Sequence, residues 1–258
     1  MSTEANETAR TAALKFADAL ASSYRAQLGE RLIGAYVIGS LAHGGFSHRY
    51  SDIDVALITE FALDTTTLTT LHGLAPECDA TLSQKLSVFW SDRGFTAGRF
   101  PPLDRIDYLD RALVLTERER VLPVRPTLDE IHVYLSGAPF ANWTENARRF
   151  AGMSALAPGD HKLFIRTLLY PARLVYSWST GLMGSNDDAV AFTCEHPPPG
   201  MNTDILTRAL THRQAAADPD ELFPAHRRIL SDQVKSCFKV IAASRSDILR
   251  FALSQPTK

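Results

Sequence analysis

The chain has 258 residues, 45% hydrophobic and 22% charged, enough for one large globular domain or two modest ones with a buried core. A formal net charge of −2 gives no basic excess for counterion release from a long DNA or RNA backbone, so a small-molecule partner is expected and a long nucleic acid is not. The three cysteines, Cys78, Cys194 and Cys237, stand far apart without Cys-x-x-Cys pairing, so they indicate neither a zinc site nor a disulfide framework; with no apolar h-region or membrane-length apolar run in the sequence, neither a signal peptide nor a membrane span is expected, and a cytoplasmic location is.

Taken in chain order, Ala13, Phe16, Ala17, Leu20, Tyr24 and Leu28 recur at helical spacing, predicting an amphipathic helix from about Glu7 to Leu28 that Gly29 stops. Leu32 to Ile38 and Ile53 to Thr59 are apolar runs of strand length. Thr65 to Leu74 reads as a helix weakened by its threonines, and Leu86 to Trp90 as a third strand. A segment around Ile106 to Asp110 then precedes the short apolar run Ala112 to Leu115. This αββαβ-like order predicts an α/β domain over residues 1–126, a small mixed sheet with helices on its faces.

From Pro126 onward the alternation gives way to helical spacing. Phe164, Leu168, Leu169, Ala172, Val175 and Tyr176 form one apolar stripe, and Val234, Phe238, Val240, Ile241, Ile248 and Phe251 suggest a long C-terminal helix. Residues 127–258 are therefore expected to be an all-α helical bundle.

The chemistry-bearing stretch lies between the first two strands. Tyr36 to Ile38 runs into Gly39-Ser40, a loop of His, Gly and Ser follows, and Ser51-Asp52-Ile53-Asp54 leads into the next strand. Positions i and i+2 of a strand share a face, so Asp52 and Asp54 project to one side and Ile53 and Val55 to the other. Paired carboxylates suit Mg²⁺, which takes oxygen ligands and is commonly shared with nucleotide phosphates. Gly39 allows close backbone approach to a phosphate, and Ser40 adds a hydroxyl and an N–H. Asp-x-Asp alone is also a common solvated strand edge; the Gly-Ser turn ahead of it is what favours a site for metal and nucleotide.

This pattern resembles the signature of the polymerase-beta-like nucleotidyltransferase superfamily, Gly-Ser followed by Asp-x-Asp. Further along, Ala172-Arg173-Leu174-Val175-Tyr176-Ser177-Trp178-Ser179-Thr180-Gly181 looks like a helix of bacterial aminoglycoside adenylyltransferases of the streptomycin/spectinomycin type, and Asp110-Arg111-Ala112-Leu113-Val114-Leu115-Thr116-Glu117 resembles a second segment of those enzymes. The resemblance runs from about Leu32 to Ile241. It implies transfer of AMP from ATP to a hydroxyl of an aminoglycoside-like acceptor, with Gly39, Ser40 and Ser51 on the triphosphate and Mg²⁺ on Asp52 and Asp54. It also implies that Asp110 lies near the nucleotide, that Arg173 reaches the phosphates and that Asp160 falls near the acceptor-binding loop. Arg173 could equally serve an ion pair between domains, and Asp160 an N-cap.

The departures are specific. Where the resembling enzymes carry a glutamate base on the third strand, alignment places Ser87, which has no basicity of its own at neutral pH. Asp92, at the end of that strand, is the nearest carboxylate in sequence and the candidate substitute base. Asn186 stands where the family has a phosphate-binding lysine, and His212 where it has a nucleotide-contacting tyrosine. A second reading follows, a nucleotide-binding protein of the same fold with little or no transferase activity.

Overall fold

The computed structural model describes the backbone of residues 2–254 and the side chains of residues 4–243. The chain divides into two compact units, one running to Pro126 and including Gln214–Ala216, the other made of Thr127–Arg213 and the residues from Ala217.

The first unit is built on a sheet of five strands, β1 (Leu32–Ile38), β2 (Ile53–Thr59), β3 (Leu86–Asp92), β4 (Gly98–Arg99) and β5 (Leu113–Glu117), in the order β4-β3-β2-β1-β5. β1 is antiparallel to both β2 and β5, and β3 is antiparallel to β4, whereas β2 and β3 run parallel. A parallel pair needs a crossover, which α3 (Thr65–Cys78) supplies. Asp64 starts that helix by accepting the Thr67 N–H at 2.7 Å. The helix continues through Pro76 to Cys78, beyond the Leu74 end expected from sequence.

The central strands are buried on both faces, which their unbroken apolar runs require. On one face Ala35, Val37, Ile53, Val55 and Leu57 pack with α3 and with α1 (Ser2–Leu28), whose Ala13, Phe16, Ala17, Leu20, Tyr24 and Leu28 are all buried. The other face carries Ile33, Tyr36, Ile38, Ala56, Ile58 and Phe89 and is packed by Tyr108 from α4 (Pro102–Arg111). A short helix, α2 (Ser40–His43), follows β1 directly. The mixed sheet with flanking helices fits the α/β reading of this half.

The second unit is helical: α5 (Leu128–Ser136), α6 (Ala138–Gly152), α7 (His161–Thr180), α8 (Asn186–Glu195), α9 (Thr203–Ala215), α10 (Phe223–His226) and α11 (Leu230–Ser254). α5 opens on a capping box in which Thr127 and Glu130 satisfy each other's backbone N–H. The α7 stripe is buried as its spacing predicts, with Tyr176 at its half-buried margin. The expected stripe of α11 is corrected. Ile241 is buried as expected and Val234 and Val240 are half-buried, but Phe238 is 60% exposed, and the buried face also holds Leu230, Gln233, Ser236 and Cys237, because Gln233 hydrogen-bonds the backbone of Asn202 and so faces inward. The side chains of Ile248 and Phe251 lie outside the described residues. No helix among the described residues is long and apolar enough to cross a membrane.

Candidate functional site

Gly39 makes the turn between β1 and α2. Its φ of 70° and ψ of −156° fall in a region that is essentially glycine's alone. A Cβ at this position would stand 2.4 Å from Asp54 Oδ2, so the Asp54 carboxylate packs directly on the bare Cα. Asp54 pairs with Ile38 across the sheet, one residue before Gly39, and Asp52 lies one residue ahead of β2.

The turn is fixed from below by a residue that sequence reading missed. The Gly39 N–H donates to Asp107 Oδ2 at 2.6 Å, and the other Asp107 oxygen meets His43 Nε2. Both side chains are sealed from solvent, His43 at 2% and Asp107 at 1% exposure. A buried carboxylate tied to a backbone N–H and an imidazole holds the turn in one conformation, because moving either partner would strand a polar group away from water. The available signal was the acid in Ile106-Asp107-Tyr108, set between two apolar residues that the helix buries.

The serines of the motif clamp the loop. Ser40 Oγ donates to Ser51 Oγ at 2.9 Å, and Ser51 Oγ also accepts the Ser47 N–H at 2.9 Å. Asn6 from α1 accepts the His48 N–H at 3.0 Å and lies 2.8 Å from the same ring's Nδ1, while Lys85 Nζ donates to the His48 carbonyl.

The parallel register pairs Asp54 with Ser87, so both side chains lie on the sheet face that α4 covers. The same register pairs Thr59 with Asp92, which puts Asp92 five residues, about 16 Å, further along the strands. The structure therefore does not bring Asp92 to Asp52 and Asp54. Its carboxylate is engaged by its own turn, Oδ1 accepting the N–H groups of Thr96 at 2.7 Å and Ala97 at 2.8 Å, and Oδ2 the Thr96 hydroxyl at 2.7 Å. Burial pushes the Asp92 carboxyl up, but the hydrogen bonds from Ala97 and Thr96 outweigh it and hold the group below the usual carboxylate range. Asp110 stands one helical turn beyond Asp107 on the exposed side of α4, in an ion pair with Arg125. Of the two acids, Asp107 is the one in contact with the glycine turn.

The fold resembles that of an adenyltransferase. Spectinomycin adenyltransferase from Enterococcus faecialis, in a crystal structure with ATP and spectinomycin, matches with a TM-score of 0.56 over 82% of this chain and 94% of that one. Sequence identity is 12%, so the likeness is one of fold. No protein-family model matches the chain, and no curated protein sequence does.

The remaining expected residues belong to the helical unit. Arg173 is half-buried on α7, with Nη2 3.9 Å from Met183 Sδ. Asp160 occupies the N-cap position of α7 without capping it; its Oδ1 accepts from Arg149 Nη2 at 2.7 Å instead. Asn186 begins α8 behind a capping box of Ser185 and Asp188, so Asp188 is engaged in helix initiation.

Proposed function

We propose that the chain is a Mg²⁺-dependent nucleotidyltransferase that moves AMP from ATP to a hydroxyl of a small aminoglycoside-like acceptor. The observation that carries this reading is the contact of Asp54 Oδ2 with the bare Cα of Gly39, Asp52 standing just ahead of it and the Ser40–Ser51 pair beside the turn. The fold likeness to an adenyltransferase supports it. The donor set suits a hard divalent cation: two carboxylates, no sulfur, and a glycine cradle that any other side chain would fill. Asp52 and Asp54 would hold Mg²⁺, which when bound neutralises phosphate charge and makes the α-phosphate more electrophilic.

The chain's own residues have separable tasks. Asp107 and His43 lock the turn, Gly39 leaves room for close backbone approach, and Ser51 fixes Ser40 beside it. No carboxylate occupies the β3 position in register with Asp54, since that residue is Ser87. The acceptor proton then has to leave to water or to a phosphate oxygen, which predicts slow transfer unless a base is supplied. The same observation favours the second reading, nucleotide binding without transfer.

The test incubates α-labelled ATP and Mg²⁺ with a panel of aminoglycosides and spectinomycin and follows both the AMP adduct and pyrophosphate. Adduct formation that disappears in Asp54→Asn is the expected result. ATP binding with no pyrophosphate release for any acceptor selects the second reading, and absence of Mg²⁺-dependent ATP binding overturns both. In the same assay Arg173→Ala weakens ATP binding by about 1.5–3 kcal/mol if its guanidinium engages the triphosphate; unchanged affinity with lowered stability assigns Arg173 a structural ion pair.

A further inference from the structure

Within the helical unit, a second group of metal-ligating side chains lies at the start of α7. The sequence Asp218-Pro219-Asp220 forms a single tight turn over Pro219–Glu221, with Pro219 presetting its first φ and Asp218 capping it by accepting the Asp220 N–H at 3.1 Å. Both carboxylates approach the same imidazole, that of His161, the first residue of α7. Its Nδ1 lies 3.8 Å from Asp218 Oδ1 and its Nε2 3.3 Å from Asp220 Oδ1. One nitrogen of His161 and one oxygen from each aspartate fall within 4.8 Å of one another. We propose that His161, Asp218 and Asp220 form a binding site for a divalent transition cation of the Zn²⁺ or Mn²⁺ class, separate from the carboxylates of the first unit.

Three considerations support this assignment. Two negative side chains drawn to one imidazole create a locus that a cation neutralises. A mixed set of one imidazole and two carboxylates suits zinc or manganese better than Mg²⁺ or Ca²⁺, which take oxygen alone, or copper(I), which takes sulfur. Bonds of about 2.0–2.2 Å place ligand atoms roughly 3–3.5 Å apart. One ion takes one ring nitrogen, so the carboxylate now beside the other nitrogen would swing round by side-chain rotation, which the 53% and 61% exposure of Asp218 and Asp220 allows, against a histidine side chain that is only 9% exposed and set in the packing. The ligands come from chain segments far apart in sequence, so a bound ion would staple the start of α7 to the turn that precedes α10. Water would complete the coordination shell.

The experiment uses the full chain carrying Asp52→Asn and Asp54→Asn, so that the first unit's carboxylates do not report. Zn²⁺ and Mn²⁺ are titrated by calorimetry and by thermal melting. One equivalent bound with a raised midpoint is expected, with affinity falling at least tenfold in His161→Gln and in Asp220→Asn. Asp220 is exposed, so its variant keeps the test decisive if the histidine variant does not fold. Absence of binding overturns the proposal, as does binding that persists unchanged in Asp220→Asn. So does a cluster that is stabilised by acidification alone and indifferent to metal, because His161 would then be a protonated ion-pair partner.

Discussion

The two ends of the β2–β3 pair hold carboxylates against different surroundings. At the far end each acid is closed off: Asp92 accepts three hydrogen bonds from its own turn, and Glu60 is bracketed by Arg93 and Arg118, with Glu119 also on Arg93. Hydrogen bonds from Arg93 hold the Glu60 carboxyl below its ordinary value, against a smaller opposing effect of burial and with Arg118 adding to the depression. At the near end Asp54 rests on a glycine Cα, and the buried Asp107 braces the backbone of that glycine. One end is a network of ion pairs and turn hydrogen bonds, the other a carboxylate set against a braced glycine turn. The chemical meaning of an aspartate here is set by its register, since Asp92 and Ser87 share a strand yet stand at opposite ends of the sheet.

The comparison breaks if the near end proves as inert as the far one. Asp54→Asn should abolish Mg²⁺-dependent ATP binding while leaving the melting midpoint unchanged or slightly raised, because removing one of two close like charges does not destabilise; retained affinity in calorimetry would sink the metal assignment. Ser87→Glu should raise AMP transfer by about 10²–10⁴-fold, the usual contribution of a positioned general base, measured as pyrophosphate release with an accepted acceptor. Asp107→Ala strips the acceptor from Gly39 and from the His43 ring and should cost about 2–4 kcal/mol in denaturant unfolding, with Asp107→Asn losing less. Gly39→Ala forces a side chain into a glycine-only conformation and into Asp54, and should cost about 1–3 kcal/mol together with nucleotide affinity.

The smallest effect sharpens the contrast from the far end. Asp92→Asn should leave transfer unchanged, where equal slowing would restore it as a base. Because its folded carboxyl titrates below the unfolded one, Asp92 contributes stability above about pH 4 that is lost as the pH falls through the folded value. The variant should therefore show a shallower acid limb in a stability profile.

Much of this fold was legible because its signals are local and redundant. β1 and β2 are apolar runs bounded by turn residues, and α1 repeats its core positions over several turns. What stayed hidden depends on partners far away in sequence. Asp107 looks like any acid on a short helix until Gly39 is placed beside it, and Asp110, one turn later, opens the segment that resembles the adenylyltransferases but faces Arg125. Asp92 is the carboxylate nearest in sequence to the β3 position where the resembling enzymes carry a glutamate; only the strand pairing shows how far along the sheet it lies. Phe238 misled because its size suggested core, whereas the polar Gln233 is held inside by the backbone of Asn202.

Asn6 lies in the second turn of a helix whose core contacts begin further along, yet it grips both the backbone and the ring of His48 in the loop that carries Ser47 and Ser51. Coupling of this kind is reciprocal. A ligand that quiets the loop should slow amide exchange in the turn of α1 that carries Asn6, and Asn6→Ala should be felt at the glycine turn before it is felt in the core.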